Sequence, residues 1–508
     1  MARARARLDA AAAEAAAEAG EEAVTMKGTR EEIIARLRKF DWEPKPEDVA
    51  YVAKATEAAK AENLIKNETV GGKVFFSEHV EDINTAANTE MYQALIDEIN
   101  HAQKIHAALY GIDSVPELTE ALRAAKARGA EIRIVVDQNP DGTFTYPETE
   151  KLIEEFGPDC FRVERNSKYA IMHDKFWIFD DRKVWSGSTN INRSAIGKGY
   201  NNEISVLMES KNLAKQFEAE HAQMWAGKFH KQKVDNTEEN LPPTADGVSA
   251  QVFFSPTDNA IEEGIIPAIE EAKESIHLQL FHFSHPDIAK AILDAKARGV
   301  DVKLIIDATG AANKATMKNV ELLRAAGIPV KVENWGGKQH MKGGVIDGQT
   351  AIFGSMNWTE GGLKRNDENC IVVKGHKGLG AAMEKNFDGC FKNLPDITLF
   401  GYFSAEGLNS IGTMTDGSDN DHFGGKDPLL SWNNYQKARA EIDTAAQKMA
   451  AVQGPEAALK AKAEALRILQ GEVNKAKARL QQSQGTKADL VIRKIDEDLA
   501  KQIASPSL

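Results

Sequence analysis

The stretch His173-Asp-Lys-Phe-Trp-Ile-Phe-Asp-Asp-Arg-Lys-Val-Trp-Ser-Gly-Ser-Thr-Asn190 decides how this chain is read, because its pattern returns as His340-Met-Lys-Gly-Gly-Val-Ile-Asp-Gly-Gln-Thr-Ala-Ile-Phe-Gly-Ser-Met-Asn357. Six positions coincide. They are His173, Lys175, Asp180, Gly187, Ser188 and Asn190 in the first copy, and His340, Lys342, Asp347, Gly354, Ser355 and Asn357 in the second. Each copy reads as a turn into a buried strand, a short polar turn, a second strand and a Gly-Ser-x-Asn loop. A lone His-x-Lys would mean nothing; six residues at one spacing, found twice, carry weight.

The duplication extends outward. Val74-Phe-Phe-Ser returns as Val252-Phe-Phe-Ser, and Ile105-His-Ala-Ala-Leu-Tyr corresponds to Ile276-His-Leu-Gln-Leu-Phe. Ala125-Lys-Ala-Arg-Gly-Ala-Glu-Ile-Arg-Ile-Val-Val-Asp returns as Ala295-Lys-Ala-Arg-Gly-Val-Asp-Val-Lys-Leu-Ile-Ile-Asp. Each repeat is expected to run strand, helix, strand, helix, strand and then the motif hairpin. Continuous apolar strands indicate sheets covered on both faces. Their alternation with helices indicates an α/β fold. A period this long means two fused lobes, each large enough to bury its own core.

The motif and its duplication resemble the phospholipase D superfamily, whose signature they are. Downstream of each copy stands Asn-x-Glu, as Asn201-Asn-Glu203 and Asn366-Asp-Glu368. From Val252 to Glu368 the chain is similar to the small bacterial endonucleases of that superfamily. The resemblance covers roughly residues 70 to 393. The expected organisation is an N-terminal extension over 1–70, lobes over 71–235 and 250–393, a linker over 237–249, and a C-terminal extension over 394–508.

The chemistry explains the residue types. The anionic oxygens of a phosphodiester repel nucleophiles, and two steps through a covalent intermediate lower the barrier. One histidine can attack phosphorus while another protonates the leaving oxygen and then activates water, since imidazole titrates near neutral pH. Lys175 and Lys342 would clamp the nonbridging oxygens, with Asn190 and Asn357 assisting and Ser188 and Ser355 as further donors. Glu203 and Glu368 are placed to accept from the far nitrogen of each histidine, fixing its tautomer. The resemblance implies the same pairing, and implies that Asp180 and Asp347 are structural. These donors replace a metal, so no metal and no cofactor are expected. One histidine per motif means one site between the lobes, for which a monomer suffices. The two copies are too alike to show which histidine attacks.

Other residues carry weaker signals. Tyr169 and Trp335, just ahead of the histidines, are candidates to stack a base or line a headgroup pocket, with surface packing equally expected. His282, in Phe281-His-Phe-Ser-His-Pro, follows a core strand and is a candidate substrate contact, although ordinary loop histidines are the better reading for it and His285. Lys198, Lys228, Lys231 and Lys233 read as a solvated basic face in preference to a groove rim.

Composition bounds the function. Net charge is −13 over 508 residues, which disfavours a broad basic grip on nucleic acid and leaves room for a local basic cleft. Cys160, Cys370 and Cys390 form neither a disulfide framework nor a ligand cluster, and Cys370 reads as an inert core thiol. No apolar run reaches transmembrane length, and a glutamate interrupts residues 10–17 where a signal peptide would need an apolar core. A soluble, cytoplasmic protein is expected. Thr29-Arg-Glu-Glu32 is a capping box opening a helix over 33–40, and an Ala-rich helix ends near Asn63. Residues 415–425 read as a plain polar loop without calcium-ligand spacing. Leu459, Leu466, Val473 and Leu480, with Leu469 and Ala476, form a seven-residue stripe over 433–482. That stripe is expected to pack on the lobes, and the helical ends are candidates for protein contacts or oligomerisation. The favoured function is a nuclease-type phosphodiesterase. A phospholipase D acting on lipid headgroups stands second and a noncatalytic scaffold third.

Overall fold

The computed structural model describes residues 28–68, 70–77, 80, 83–164, 170–307, 310–311, 313–333, 337–394, 432–480 and 486–505. Tyr169, Trp335, residues 1–25 and the polar loop over 415–425 lie outside them.

Lobe 1 contributes β1 (Gly71–Ser77), β2 (Lys104–Leu109), β3 (Ile112–Asp113), β4 (Glu131–Val136), β5 (Phe161–Val163), β6 (Lys175–Phe179), β7 (Lys183–Gly187), β8 (Ile191–Asn192) and β9 (Glu203–Glu209). Lobe 2 contributes β10 (Ser249–Ser255), β11 (Ser275–Leu280), β12 (Asp301–Ile306), β13 (Val330–Val332), β14 (Lys342–Ile346), β15 (Thr350–Gly354) and β16 (Glu368–Lys374). Two seven-stranded sheets result, in the orders β1-β9-β7-β6-β2-β4-β5 and β10-β16-β15-β14-β11-β12-β13. The second order repeats the first strand for strand. β2, β4 and β5 run parallel, joined through the helices Pro116–Ala127 and Pro147–Phe156, while β6, β7, β9 and β1 run antiparallel. Between the third strand and the motif hairpin, the expected run omitted one helix and one strand per repeat. The missed strands, β5 and β13, have three residues each, too few for a period to register.

Residue alternation shows how the lobes share a core. In β6, Trp177 and Phe179 join the cluster of lobe 1 itself. Phe176 and Ile178, on the opposite face, join a second cluster with Phe254, Met341, Val345 and Phe353 of lobe 2. The helices Lys211–Trp225 and Lys377–Asn393 supply Phe217, Leu213, Leu379 and Met383 to that shared layer. The lobes are therefore joined by an apolar interior, which fixes how their two motifs face each other.

The motif aspartates and glycines serve this frame. Asp347 (φ +52°) accepts from the backbone N–H groups of Glu274 at 2.7 Å and Ser275 at 2.9 Å. Asp180, at the same φ, does likewise for Gln103 and Lys104. Each thus anchors the start of the central strand β11 or β2, roughly 16 Å from the cleft end of its hairpin, given the rise of a five-residue strand. Burial works against the Asp347 carboxylate, and the backbone donors of Ser275, Glu274 and Lys273 outweigh it and hold its pKa below the usual value. Asp347→Ala is expected to cost about 1–2 kcal/mol, read as a lower urea midpoint. An unchanged midpoint would refute the anchoring role. A Cβ on Gly187 would lie 2.0 Å from Ile204 O, and one on Gly354 2.3 Å from Asn369 O. Close approach to the neighbouring strand explains why both motifs need glycine before the serine.

At the N-terminal end, Thr29 and Glu32 cap each other, and the helix runs Arg30–Lys39, starting earlier than the apolar pattern suggested. The helix Pro46–Ala59 packs Ala55 and Ala59 against Ala219 and Ala222. Beyond the lobes stand the helices Trp432–Gln453, Pro455–Leu480 and Thr486–Ala504, the first two separated at Gly454 (φ +91°). Leu466 and Leu469 are buried, and the apolar residues of this bundle form one cluster with the core of lobe 2. The side chains of Val473, Ala476 and Leu480 lie outside the described residues. No described helix is long and apolar enough to cross a membrane.

Candidate active site

The two histidines meet through a crossed backbone arrangement. The segment before His173 pairs with the Asn-x-Glu segment of lobe 2: Met172 bridges Asp367, and His173 N–H donates to Asp367 O at 2.9 Å. The segment before His340 does the same with lobe 1: Asn202 bridges Gln339, and His340 N–H donates to Asn202 O at 3.0 Å. Each glutamate thereby reaches the histidine of the other repeat. His173 Nδ1 lies 2.8 Å from Glu368 Oε2, and His340 Nδ1 lies 2.9 Å from Glu203 Oε1. With Nδ1 donating to a carboxylate, Nε2 of each ring is the nitrogen left to react. Hydrogen positions follow here from the partners.

The lysines act on one centre. Lys175 Nζ donates to His173 O and Lys342 Nζ to His340 O, each at 2.6 Å. Burial, followed by Lys342, Lys175, Lys338 and His173, holds the His340 imidazole well below its ordinary pKa. Burial pushes Glu203 up to about 7 against the pull of Lys342 and Lys175. That a lysine and a histidine of lobe 1 bear on His340 is what a single shared site requires.

Among the described residues, buried Asn357 has neither amide atom hydrogen-bonded, and the buried Oδ1 of Asn190 has no partner. A buried, unsatisfied amide is costly unless a ligand completes it. Together with two buried ammonium groups, these amides suit an anion with several oxygens. Ser188 Oγ gives its proton to Glu203 Oε2 at 2.6 Å. Ser355 Oγ accepts from Asn369 N–H at 2.9 Å. Asn201 and Asn366 donate to Glu203 and Glu368 at 3.5 and 3.2 Å. His282 is buried, in edge contact with Phe281 at 4.0 Å between centroids.

Two residues at the site went unread in the sequence. Tyr110 stands edge-on to His173, 5.4 Å between centroids, and Phe281 lies 4.9 Å from His340. They occupy equivalent positions, one past β2 and one past β11, so the repeat alignment held their signal. Lys233 is a correction. It is fully buried, paired with Asp367 at 2.8 Å and with Glu220, whereas Lys228 and Lys231 are exposed and Lys198 is half-buried. A run of lysines shows charge without showing which one faces inward. Cys370 is buried, and burial pushes its thiol up to about 12.

The approach of the lobes is close at Gly337, where a Cβ would lie 1.9 Å from Tyr200 O. Gly337→Ala is expected to lift the segment carrying His340 away from Glu203 and to lower kcat at least about tenfold. Hydrogen exchange at residues 201–203 and 338–340 would rise with it, and full activity with unchanged exchange would contradict this packing.

A duplicated His-Lys hairpin, two matched lobes and crossed His–Glu pairs define a two-lobed phospholipase D-like protein. A family model described as "Cardiolipin synthase, PLD-like domain" matches residues 95–225 and 265–391, about half of the chain and once in each lobe. The chain belongs to this family, within the phospholipase D superfamily. The chain is 34% identical over 117 residues to a mitochondrial cardiolipin hydrolase of Xenopus tropicalis, covering 23% of this chain and 54% of that protein. It is 36% identical over 110 residues to a phospholipase D of Rickettsia bellii, covering 22% and 54%. The chain thus spans about half the length of these curated relatives. Among solved structures, Nuc of Salmonella typhimurium, a phospholipase D family member, matches at 32% identity over 29% of this chain and 97% of Nuc, with a TM-score of 0.28.

Proposed function

We propose that the chain hydrolyses phosphodiesters through a phosphohistidine, in one site to which both lobes contribute. The observation that carries this reading is the crossed pairing of His173 with Glu368 and His340 with Glu203, which brings two oriented imidazoles and two lysines to one cleft. Nε2 of one imidazole attacks phosphorus. The P–O bond to the leaving group breaks, and the second imidazolium gives that oxygen its proton. Water then attacks the phosphohistidine and loses a proton to the second imidazole. The N–P bond breaks, and the first imidazole is restored. Lys175, Lys342, Asn190 and Asn357 bind the nonbridging oxygens, where charge builds in both transition states.

A nucleic acid strand is the favoured substrate. Support comes from the resemblance of residues 252–368 to the small endonucleases of the superfamily. A phospholipid headgroup is the second reading, supported by the names of the cardiolipin hydrolase and phospholipase D relatives. A turnover assay in excess EDTA, offering single-stranded DNA, duplex DNA, RNA and phospholipid vesicles in parallel, separates the two. Cleavage of nucleic acid without loss to EDTA is the expected result. Headgroup release alone would reverse the substrate order, and activity restored only by added metal would refute the metal-free chemistry.

A further inference from the structure

A buried cluster in lobe 1 has a counterpart in lobe 2 that serves as its control. In lobe 2, His277 on β11 meets Glu384 at 2.5 Å, its Nε2 stands 3.6 Å from Asp301, and the ring of Phe387 stacks on it 4.6 Å away. Lobe 1 repeats each position. His106 on β2 meets Glu218 at 3.0 Å, its Nε2 stands 3.2 Å from Glu131, and the ring stacked on it at 4.9 Å is His221. Glu218 and His221 lie three apart on the helix Lys211–Trp225, as Glu384 and Phe387 do on Lys377–Asn393, a spacing that puts both on one face. Packing here asks only for a flat ring, and lobe 1 supplies an imidazole. Tyr51, from the helix Pro46–Ala59, brings its hydroxyl 3.1 Å from Nδ1 of each histidine and against Glu218 Oε2. His106 and His221 have no exposed surface and Glu218 has 6%, so solvent does not share the load.

Lone pairs outnumber protons where these groups converge. His221 Nε2 lies 3.2 Å from Arg133 O, which only accepts, and His106 Nε2 faces the Glu131 carboxylate, so both far nitrogens carry protons. Burial, then His106, holds His221 well below its ordinary pKa and leaves its Nδ1 bare. With a neutral His106, two Nδ1 atoms and Glu218 Oε2 compete for the one hydroxyl proton of Tyr51. Charge is short as well. Lys104 Nζ lies 3.1 Å from Glu218 and 2.5 Å from Asp181, and Arg133 lies 2.9 Å from Glu131 with its guanidinium 4.8 Å over the Tyr51 ring. Among the described residues, three carboxylates therefore face two cations, one positive charge too few.

We propose that this cluster is a structural site for a zinc-class divalent cation, bound by His106 Nδ1, His221 Nδ1, Glu218 Oε2 and Tyr51 Oη. Two imidazoles and two oxygens are a donor set that zinc accepts. Bonds of about 2.0–2.1 Å to a tetrahedral centre put neighbouring ligand atoms about 3.3 Å apart, close to the 3.0–3.1 Å found between His106, Glu218, His221 and Tyr51. The donor atoms of the two histidines and Glu218 all lie within 4.8 Å of one another. Both histidines already have the outer partner that a ligating imidazole needs, Glu131 for one and Arg133 O for the other. Burial, then Glu218, raises the Tyr51 hydroxyl when no metal is bound. A dication reverses that preference and takes the phenolate, after which the charges of the cluster sum to zero. The cation would tie β2 to the helices Lys211–Trp225 and Pro46–Ala59, fastening the N-terminal extension to lobe 1. His106 stands four residues before Tyr110, roughly 13 Å along the strand, so the site does not depend on the reaction proposed above and takes no part in it.

The test uses the untagged full chain, stripped with dipicolinate and titrated with Co²⁺ and then Zn²⁺. About one equivalent of Co²⁺ should bind per chain with the intense visible absorption of four-coordinate cobalt, and Zn²⁺ should displace it. Saturating zinc should raise the Tm of the stripped chain by about 5 °C. His221→Phe gives lobe 1 the ring that lobe 2 carries at Phe387, so it should fold while losing both the cobalt spectrum and the zinc shift. Tyr51→Phe keeps a ring under Arg133 and should weaken cobalt binding at least about tenfold. No cobalt spectrum from the unsubstituted chain overturns the site, and the missing charge is then the proton of a His106 imidazolium. An equal spectrum and an equal Tm shift in His221→Phe overturn it too, because the metal then sits elsewhere. Neither readout involves turnover, so failure here leaves the proposed reaction standing.

Discussion

Replacing either His173 or His340 by alanine is expected to lower kcat on a natural phosphodiester at least about 10³-fold, with no half-active variant. The reason is geometric. Each imidazole is oriented by a glutamate from the other lobe, 195 residues away for His173 and 137 for His340. Neither lobe therefore holds a complete site. Attack without a proton donor stops at the first P–O bond for a poor leaving group, and a proton donor without a nucleophile forms no intermediate. The check is steady-state turnover of each alanine variant on the substrate identified in the panel, with circular dichroism to show that both fold. Two variants retaining half the activity each would mean two independent sites and would overturn the shared-cleft reading.

Glu203→Gln should lower kcat about 10²- to 10⁴-fold while leaving the fold intact. Glutamine matches glutamate in size; its carbonyl oxygen can keep the proton of Ser188 Oγ in the place of Oε2, and its amide nitrogen then stands in the place of Oε1, which now faces His340 Nδ1 and accepts a long bond from Asn201 Nδ2. The amide nitrogen left to face His340 Nδ1 is a donor. It forces the neutral imidazole to carry its proton on Nε2, the atom that must be free to attack or to relay. The loss should appear in kcat more than in KM, because the lysines and asparagines proposed to bind the phosphate are untouched. Glu368→Gln should do the same to His173. A variant within threefold of the unsubstituted chain would show that the carboxylate is not needed to orient the ring. This substitution sits in lobe 1 and disables a histidine of lobe 2, so it also tests the crossing itself.

Much of this architecture could be read along the chain. The spacing of His173, Lys175, Asp180, Gly187, Ser188 and Asn190, and its return from His340 to Asn357, is a local property. A hairpin is made by neighbouring residues, and its side chains alternate at a fixed period. The continuous apolar runs of β4 and β12 likewise announced buried parallel strands. Short elements gave no such signal: β5 and β13 at three residues each show no period, and their place at the sheet edge comes from pairing with β4 and β12. Charge was also illegible. Lys228, Lys231 and Lys233 look alike in sequence, yet only Lys233 among them is buried against Asp367 and Glu220.

The chain alone thus established the duplicated hairpin, the α/β lobes and the residue types of the cleft, since each depends on order and spacing over tens of residues. Folding chose the partners. Which glutamate holds which histidine, why Ser188 serves Glu203, and why Lys233 turns inward to Asp367 all depend on contacts made across the apolar layer between the lobes. Such contacts join residues far apart in the chain, and their free energy comes from burial and from satisfying buried polar groups once the lobes have closed.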